Sequence, residues 1–220
     1  MEVLFWCSSF LIIYSYLIYP ILLTLFSYVF RAKNQQIVSL INLPNVAIVI
    51  AAFNEEKAIK QRVENLLSLD YPKDKITFYI GSDGSTDNTN RILNEFTDSR
   101  LHIQLFDVNR GKSAVLNNLV MLVKQPFIVF SDANTHFERD VIKQLISHFE
   151  NENIGGVCGE LNLFNPNNND NKDSIYWRYE QFLKEKEGQL DALLGANGAI
   201  YAIRRELYTP IPENTIVDDF

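Results

Sequence analysis

The sequence predicts an α/β domain with a mostly parallel sheet flanked by helices, preceded by one membrane-crossing helix. Three observations carry this. Short β-branched apolar runs alternate with stretches of about ten residues at helical spacing, which is the pattern of strand–helix–strand units. Each apolar run ends abruptly in small oxygen-bearing side chains, so the polar chemistry collects at the carboxyl ends of the strands, where open α/β sheets bind ligands. Finally, Val3 to Phe30 contains no charged residue, about 28 positions in a row against the roughly 20 that a helix needs to cross a bilayer.

Taken in order, that N-terminal stretch reads as an uncleaved anchor. A cleaved signal peptide has a basic start, a shorter apolar core and a small-x-small cleavage site, whereas here Glu2 leads and Arg31 and Lys33 follow. Those positive side chains lie after the span, so the positive-inside rule places Arg31 onward in the cytoplasm, with the anchor a single pass through the cell inner (plasma) membrane. Pro20 falls mid-span as a kink point, and Tyr14, Tyr16, Tyr19 and Tyr28 suit a membrane interface or a helix partner. A buried helical hairpin split at Pro20 is the competing reading. The expected organisation is an anchor at 1–33, a linker at 34–44 and one globular domain at 45–220.

The first strand is Asn45 to Ala52, apolar throughout and therefore central. It stops at Phe53-Asn54-Glu55-Glu56, and Ile59, Val63, Leu66 and Leu67 then mark a helix that ends before Asp70-Tyr71-Pro72. A second strand, Ile76 to Ile80, runs into Gly81-Ser82-Asp83-Gly84-Ser85-Thr86-Asp87-Asn88-Thr89, a loop dense in turn formers, with Ile92, Leu93 and Phe96 marking the next helix. Leu101, Ile103 and Leu105 alternate as a third strand, followed by Asn109-Arg110-Gly111-Lys112 and a helix carrying Leu116, Leu119, Val120 and Val123. The fourth strand, Phe127 to Phe130, ends in Ser131-Asp132-Ala133-Asn134, where two oxygen-bearing side chains two apart point the same way on extended backbone. Later come a glycine-bearing strand around Gly155 to Leu163, an asparagine-rich loop from Asn165 to Asn171, an amphipathic helix with Tyr176, Trp177, Tyr179 and Phe182 that suits either core packing or a bilayer surface, and an apolar strand after Gly195 to Gly198.

Composition bounds the function. At 220 residues with 47% hydrophobic residues the chain can bury one sizeable core, and a net charge of -7 argues against nucleic-acid binding, which needs a basic face. Two cysteines cannot build a disulfide framework. At the loaded edge two readings of each residue compete. Asn54 and Asp83 could accept hydrogen bonds from a base and ribose, Lys112 could neutralise phosphate, and Asp132 with Asn134 could hold a hard divalent cation. Alternatively Asp83 and Asp87 are turn or cap residues, Glu55 is a first-turn helix acid and Lys112 is a solvated lysine. Four adjacent strand ends loaded together favour the ligand reading.

The ordered set Ala47-Ile48-Val49-Ile50-Ala51-Ala52-Phe53-Asn54-Glu55-Glu56, Ser82-Asp83-Gly84-Ser85-Thr86-Asp87, Gly111-Lys112-Ser113-Ala114-Val115-Leu116-Asn117, Ser131-Asp132-Ala133-Asn134-Thr135, Gly195-Ala196-Asn197-Gly198 and Val217-Asp218-Asp219 resembles the successive motifs of the family 2 glycosyltransferases. The resemblance implies a GT-A fold and an inverting, membrane-anchored hexosyl- or N-acetylhexosaminyltransferase. It further implies a nucleotide-diphospho-sugar donor, usually with uridine, a glycan or lipid-linked acceptor, a divalent cation (Mg2+ or Mn2+) and a role in polysaccharide synthesis. It implies that Ala52, Asn54, Glu55, Asp83, Lys112 and Asp132 hold the donor, that Asp132 and Asn134 hold the metal, and that Asp219 is the catalytic base. Asn134 stands where the family's second Asp is usual, and Val217-Asp218 where Thr-Glu is common. The match ends at Phe220 without the family's Gln-x-x-Arg-Trp motif, so the chain is expected to be the N-terminal portion of a longer enzyme or a shortened relative. Two rivals are weaker: a sugar-phosphate nucleotidyltransferase would show Gly-x-Gly-x-Arg after the first strand, and an inactive nucleotide-sugar-binding subunit would bind donor without transfer.

Overall fold

The computed structural model describes residues 2–30, 42–160, 175–190, 192, 195–196, 198–212 and 215. The chain divides into two compact units, one formed by Met1–Gln36 with Asn162–Gly195 and the other by Ile37–Leu161 with Ala196–Phe220.

The second unit is built on a six-stranded sheet in the order β3-β2-β1-β4-β6-β5. Its strands are β1 (Val46–Ala52), β2 (Ile76–Asp83), β3 (Leu101–Phe106), β4 (Phe127–Ser131), β5 (Gly156–Cys158) and β6 (Ile200–Arg204). β1 is central, and its Val46 to Ile50 are fully buried, as an unbroken β-branched run requires when both faces are covered. Alternation along β1 divides the core. Ile48 and Ile50 face a layer containing Ile59, Val63 and Leu66 of α3 (Ile59–Leu67), Leu93 of α4 (Thr89–Leu93) and Ile142, Leu145 and Ile146 of α6 (Val141–Ser147). Ala47 and Val49 face Val115, Leu116 and Leu119 of α5 (Lys112–Leu122). α5 lies so close to the sheet that a side chain at Gly81 would meet Val115 Cγ1 at 2.5 Å.

The first four strands run parallel, as their alternation with helices predicts. β6 departs from that pattern: it inserts antiparallel between β4 and β5, so Ser131 at the end of β4 lies opposite Ile200 at the start of β6. The helix expected through Phe96 is shorter, α4 ending at Leu93. α6 has no counterpart in the sequence reading.

In the other unit a helix runs from Glu2 to Phe30, with mean hydropathy 1.9 over its most apolar window, long and apolar enough to cross a membrane. It comprises α1 (Glu2–Ile13), a π turn (Tyr14–Ile18) and α2 (Tyr19–Phe30). The π turn ends two residues before Pro20, whose missing N–H and ring clash with the preceding turn disfavour regular i to i−4 bonding there. α7 (Ile175–Gly188) packs on this helix through its tyrosines: Tyr19 Oη donates to Glu187 Oε1 at 2.8 Å, Tyr179 Oη donates to the Ser15 carbonyl at 3.0 Å, and the rings of Tyr16 and Tyr179 stack at 6.1 Å. Tyr16 and Tyr19 thus meet a helix partner, one of the two roles the sequence allows them.

Candidate active site

The carboxyl ends of β1 and β2 are joined by a polar clasp. Leaving β1, the chain turns at Asn54, whose φ of 54° makes it the single non-glycine with positive φ among the described residues. Asparagine tolerates that region better than most side chains. Its N–H donates to Ser85 Oγ at 3.1 Å and its Oδ1 accepts the Thr86 N–H at 2.8 Å. The next two residues repeat the theme: Glu55 N–H donates to Thr89 Oγ1 at 2.8 Å, and Glu56 N–H to Asp87 Oδ2 at 3.0 Å. Asp87 Oδ1 in turn accepts the Thr89 N–H at 2.9 Å and its hydroxyl at 2.6 Å. Partial burial opposes ionisation of Asp87, but the bonds from Thr89 and Glu56 outweigh it and hold the carboxyl below its usual range. Asp87 thereby serves as a turn residue, one of the two roles the sequence allows it.

Asp83 performs a similar service across the next gap. It is 3% exposed, and its two carboxylate oxygens accept the N–H groups of Arg110 at 2.7 Å and Gly111 at 2.9 Å. A buried carboxylate so paired organises the start of α5 by charge-assisted hydrogen bonds. Its neighbour Gly84 has a φ of 64°, and a side chain there would meet Asn109 N at 2.4 Å, so the two loops approach closely only because this residue is glycine.

Between the strand ends lies a cavity of about 360 Å³. Six of the residues singled out from the sequence line it, namely Ala52, Glu55, Asp83, Lys112, Asp132 and Asn134. Asn54 does not; it braces the clasp. Phe53 and Asn109, not singled out, do line it, and Phe53 presents an aromatic ring that is about half exposed. Across the cavity Lys112 Nζ donates to Asp132 Oδ1 at 2.7 Å, both side chains being more than a third exposed. Such a pair contributes at most about 1 kcal/mol and yields readily to a ligand. Glu55 completes an acidic side: partial burial, then the charges of Asp132 and Asp87, raise its carboxyl above the usual range.

The donor set fits a hard cation under one condition. Asp132 supplies a carboxylate and Asn134 an amide carbonyl, both oxygen ligands, and among the described residues no group of three His, Cys, Asp or Glu side chains converges to hold a metal. Mg2+ and Mn2+ suit oxygen ligands, and Mg2+ is often held by one or two protein carboxylates with water and phosphate completing the shell, so the residues fit the ion together with a diphosphate. Asp218 and Asp219 lie outside the described residues, as do Asn197 and the Asn165–Asn171 loop.

Sequence reasoning missed a polar cluster behind the cavity. Arg62 is 2% exposed and Asn65 6%, both on the core side of α3. Arg62 Nη2 donates to Ser131 Oγ at 2.8 Å and Nη1 to Asn65 Oδ1 at 3.2 Å, while the guanidinium lies 4.0 Å from the Phe137 ring centroid. Burial pulls the Arg62 guanidinium down to about 9, opposed by the nearby charge of Asp132. The available signal was positional: Arg62 falls on the stripe defined by Ile59, Val63 and Leu66, where a polar residue is an interloper.

A family model described as Glycosyl transferase family 2 matches residues 47–209. Among curated proteins, the chain is 31% identical over 129 residues to the probable glycosyltransferase YdaM of Bacillus subtilis, covering 56% of this chain and 31% of that protein. It is 32% identical over 120 residues to the beta-monoglucosyldiacylglycerol synthase of Nostoc sp., covering 53% of this chain and 26% of that one. With the poly-beta-1,6-N-acetyl-D-glucosamine synthase of Staphylococcus epidermidis it shares 28% identity over 137 residues, 61% of this chain and 31% of the relative. The chain thus spans about a quarter to a third of the length of these relatives. Among solved structures, the mannosyltransferase PcManGT from Pyrobaculum calidifontis, in complex with GDP-Man and Mn2+, superposes with a TM-score of 0.71 at 19% identity, over 94% of this chain and 59% of that one. That likeness bears out the expected GT-A fold.

Proposed function

The chain belongs to glycosyl transferase family 2, and from that premise we propose that it takes part in moving a sugar from a nucleotide-diphospho-sugar, with uridine as the preferred base, to a glycan or lipid-linked acceptor, with inversion at the anomeric carbon. The observation that carries this reading is the cavity itself, with a cation (Lys112) and a carboxylate (Asp132) paired across the ends of α5 and β4. Opposite charges held together by a weak exposed pair are available to a ligand that carries both an anion and a metal.

The roles follow from placement. Phe53 and Ala52 contribute apolar lining to the cavity, suited to a base, and Glu55 and Asp83 offer acceptors to base and ribose. Lys112 at the first position of α5 meets the diphosphate, aided by the helix N-terminus. Asp132 and Asn134 would hold a divalent cation, which when bound supplies positive charge against the departing diphosphate. In an inverting displacement the acceptor oxygen bonds to the anomeric carbon as the bond from that carbon to the diphosphate oxygen breaks, and the acceptor proton passes to a carboxylate. Asp219 is proposed for that role. The Glu2–Phe30 helix is proposed to cross the membrane, with the sheet domain on the cytoplasmic side.

Product formation tests the reading. The full-length protein in detergent, given Mn2+ with radiolabelled UDP-glucose, UDP-N-acetylglucosamine or GDP-mannose and a lipid or glycan acceptor, is expected to form labelled product with one of the UDP-sugars. Nucleotide binding without product from any donor would favour a binding subunit instead. Carbonate washing checks the anchor: the chain should stay with membranes, and release into the soluble fraction would contradict the span.

A further inference from the structure

α3 carries two buried polar side chains, and both reach the segment that bears Asp132 and Asn134. Asn65 makes two bonds to one residue: its Nδ2 donates to the Phe137 carbonyl at 2.9 Å and its Oδ1 accepts the Phe137 N–H at 2.8 Å. An amide bonded to both the donor and the acceptor of one residue fixes its rotation as well as its distance. Arg62 holds the other end of the segment through Ser131 Oγ, which passes the connection on by donating to the Ala199 carbonyl at 2.7 Å. Residues 132–136 are therefore pinned at 131 and at 137 by side chains three positions apart on one helix. Ala199 leads directly into β6, so the same chain of bonds ties the loop ahead of β6 to the end of β4.

Packing alone does not account for an arginine here. Burying a guanidinium is costly, its Nε finds no partner among the described residues, and an apolar side chain of similar length would fill the space without that cost. What an apolar residue would not supply is the directed fork that holds Asn65 and Ser131 at once. We propose that Arg62 and Asn65 form a positioning pair that sets the geometry of the Asp132–Asn134 edge for a cation bridged to a nucleoside diphosphate, and couples that edge to the loop entering β6. The proposal rests on the reading of the cavity as a donor site.

The test is calorimetric titration of UDP into the full 220-residue chain in detergent, once with Mn2+ and once with EDTA, so that the ratio of the two Kd values reports the metal's contribution. Arg62→Met and Asn65→Ala are each expected to lower that ratio about tenfold, the loss usual when a residue supporting a ligand is removed, while leaving the affinity in EDTA unchanged. Arg62→Lys should recover only part of it, because an ammonium lacks the planar fork. Ser131→Ala, which removes only a hydroxyl, should shift the ratio in the same direction and guards against a variant that fails to fold. A merely structural role would lower Tm and weaken both affinities together, so an unchanged ratio in Arg62→Met or Ser131→Ala overturns the proposal. Wild-type chain that binds UDP equally with and without Mn2+ overturns it too, while leaving the transferase reading in place; wild-type chain that binds neither UDP nor GDP overturns both.

Discussion

The strand ends fall into two halves that use the same residue types for different work. Where β1 and β2 end, Asn54, Asp83 and Asp87 spend their oxygens on backbone N–H groups of neighbouring loops. Where β4 ends, Asp132 faces the cavity and is held by a lysine across open space. An acid satisfied by backbone donors is fixed in place and keeps only its spare lone pairs for a ligand, since removing it orphans buried groups; an acid held by an exposed ammonium can exchange its partner at little cost. Residue identity does not distinguish the two cases. For the two acids that line the cavity, burial does: Asp83 is 3% exposed, the Asp132 side chain 37%.

The contrast breaks most visibly at Asp83. Asp83→Ala removes two charge-assisted bonds and leaves the Arg110 and Gly111 N–H groups without them, so unfolding free energy should fall by about 3 kcal/mol. Differential scanning fluorimetry should register this as a drop in Tm of about 6–12 °C. A Tm within a degree of wild type would move Asp83 out of the bracing half. Lys112→Met should do the reverse, leaving stability within about 0.5 kcal/mol because the lysine side chain is 39% exposed, yet weakening UDP affinity about tenfold, or 1.4 kcal/mol. Equal UDP affinity in the two proteins would mean that the lysine is only a surface cation.

The clasp gives a smaller effect. Thr89 is fully buried, accepts the Glu55 N–H and donates to Asp87, so the near-isosteric Thr89→Val should cost about 1–2 kcal/mol by urea unfolding with little change in the m-value. No loss would show the clasp to be dispensable. Smallest is a pH effect at Glu55. Its raised pKa means that the fold favours the protonated form, so the cost of ionising it is felt above that raised value and is absent once pH falls below the ordinary 4.5. Glu55→Gln should therefore raise Tm by about 1 °C at pH 7, the gain vanishing near pH 4. A gain that persisted at pH 4 would assign the effect to packing rather than charge.

Much of this was legible in the sequence, for local reasons. The Val46–Ala52 run, the helix ending before Asp70-Tyr71-Pro72 and the abrupt stop at Ser131-Asp132 each follow from residues close in sequence, and they bring six of the expected site residues to one cavity. What was not legible depends on partners distant in sequence. The run at Ile200–Arg204 reads as a strand, yet nothing in its pattern states that it pairs antiparallel with β4. Nor does the pattern around Ser82–Thr89 state that Asn54 will be consumed in bracing that loop, because Ser85 and Thr86 lie more than thirty positions away. Arg62 and Asn65 do not stand out because apolar residues carry the helical spacing, and a buried cation shows only as an exception to that stripe.

The most direct test is the thermal shift produced by UDP with Mn2+ in wild type and in Asp132→Ala. Because the ion pair lost is exposed, the unliganded Tm of the two proteins should agree within about 2 °C. Ligand at about a hundred times Kd should stabilise wild type by about 2.7 kcal/mol, EDTA should reduce that shift, and Asp132→Ala should shift only as far as wild type does in EDTA. An undiminished, EDTA-sensitive shift in Asp132→Ala would contradict the account, because the cation and the diphosphate would then be held somewhere other than the end of β4.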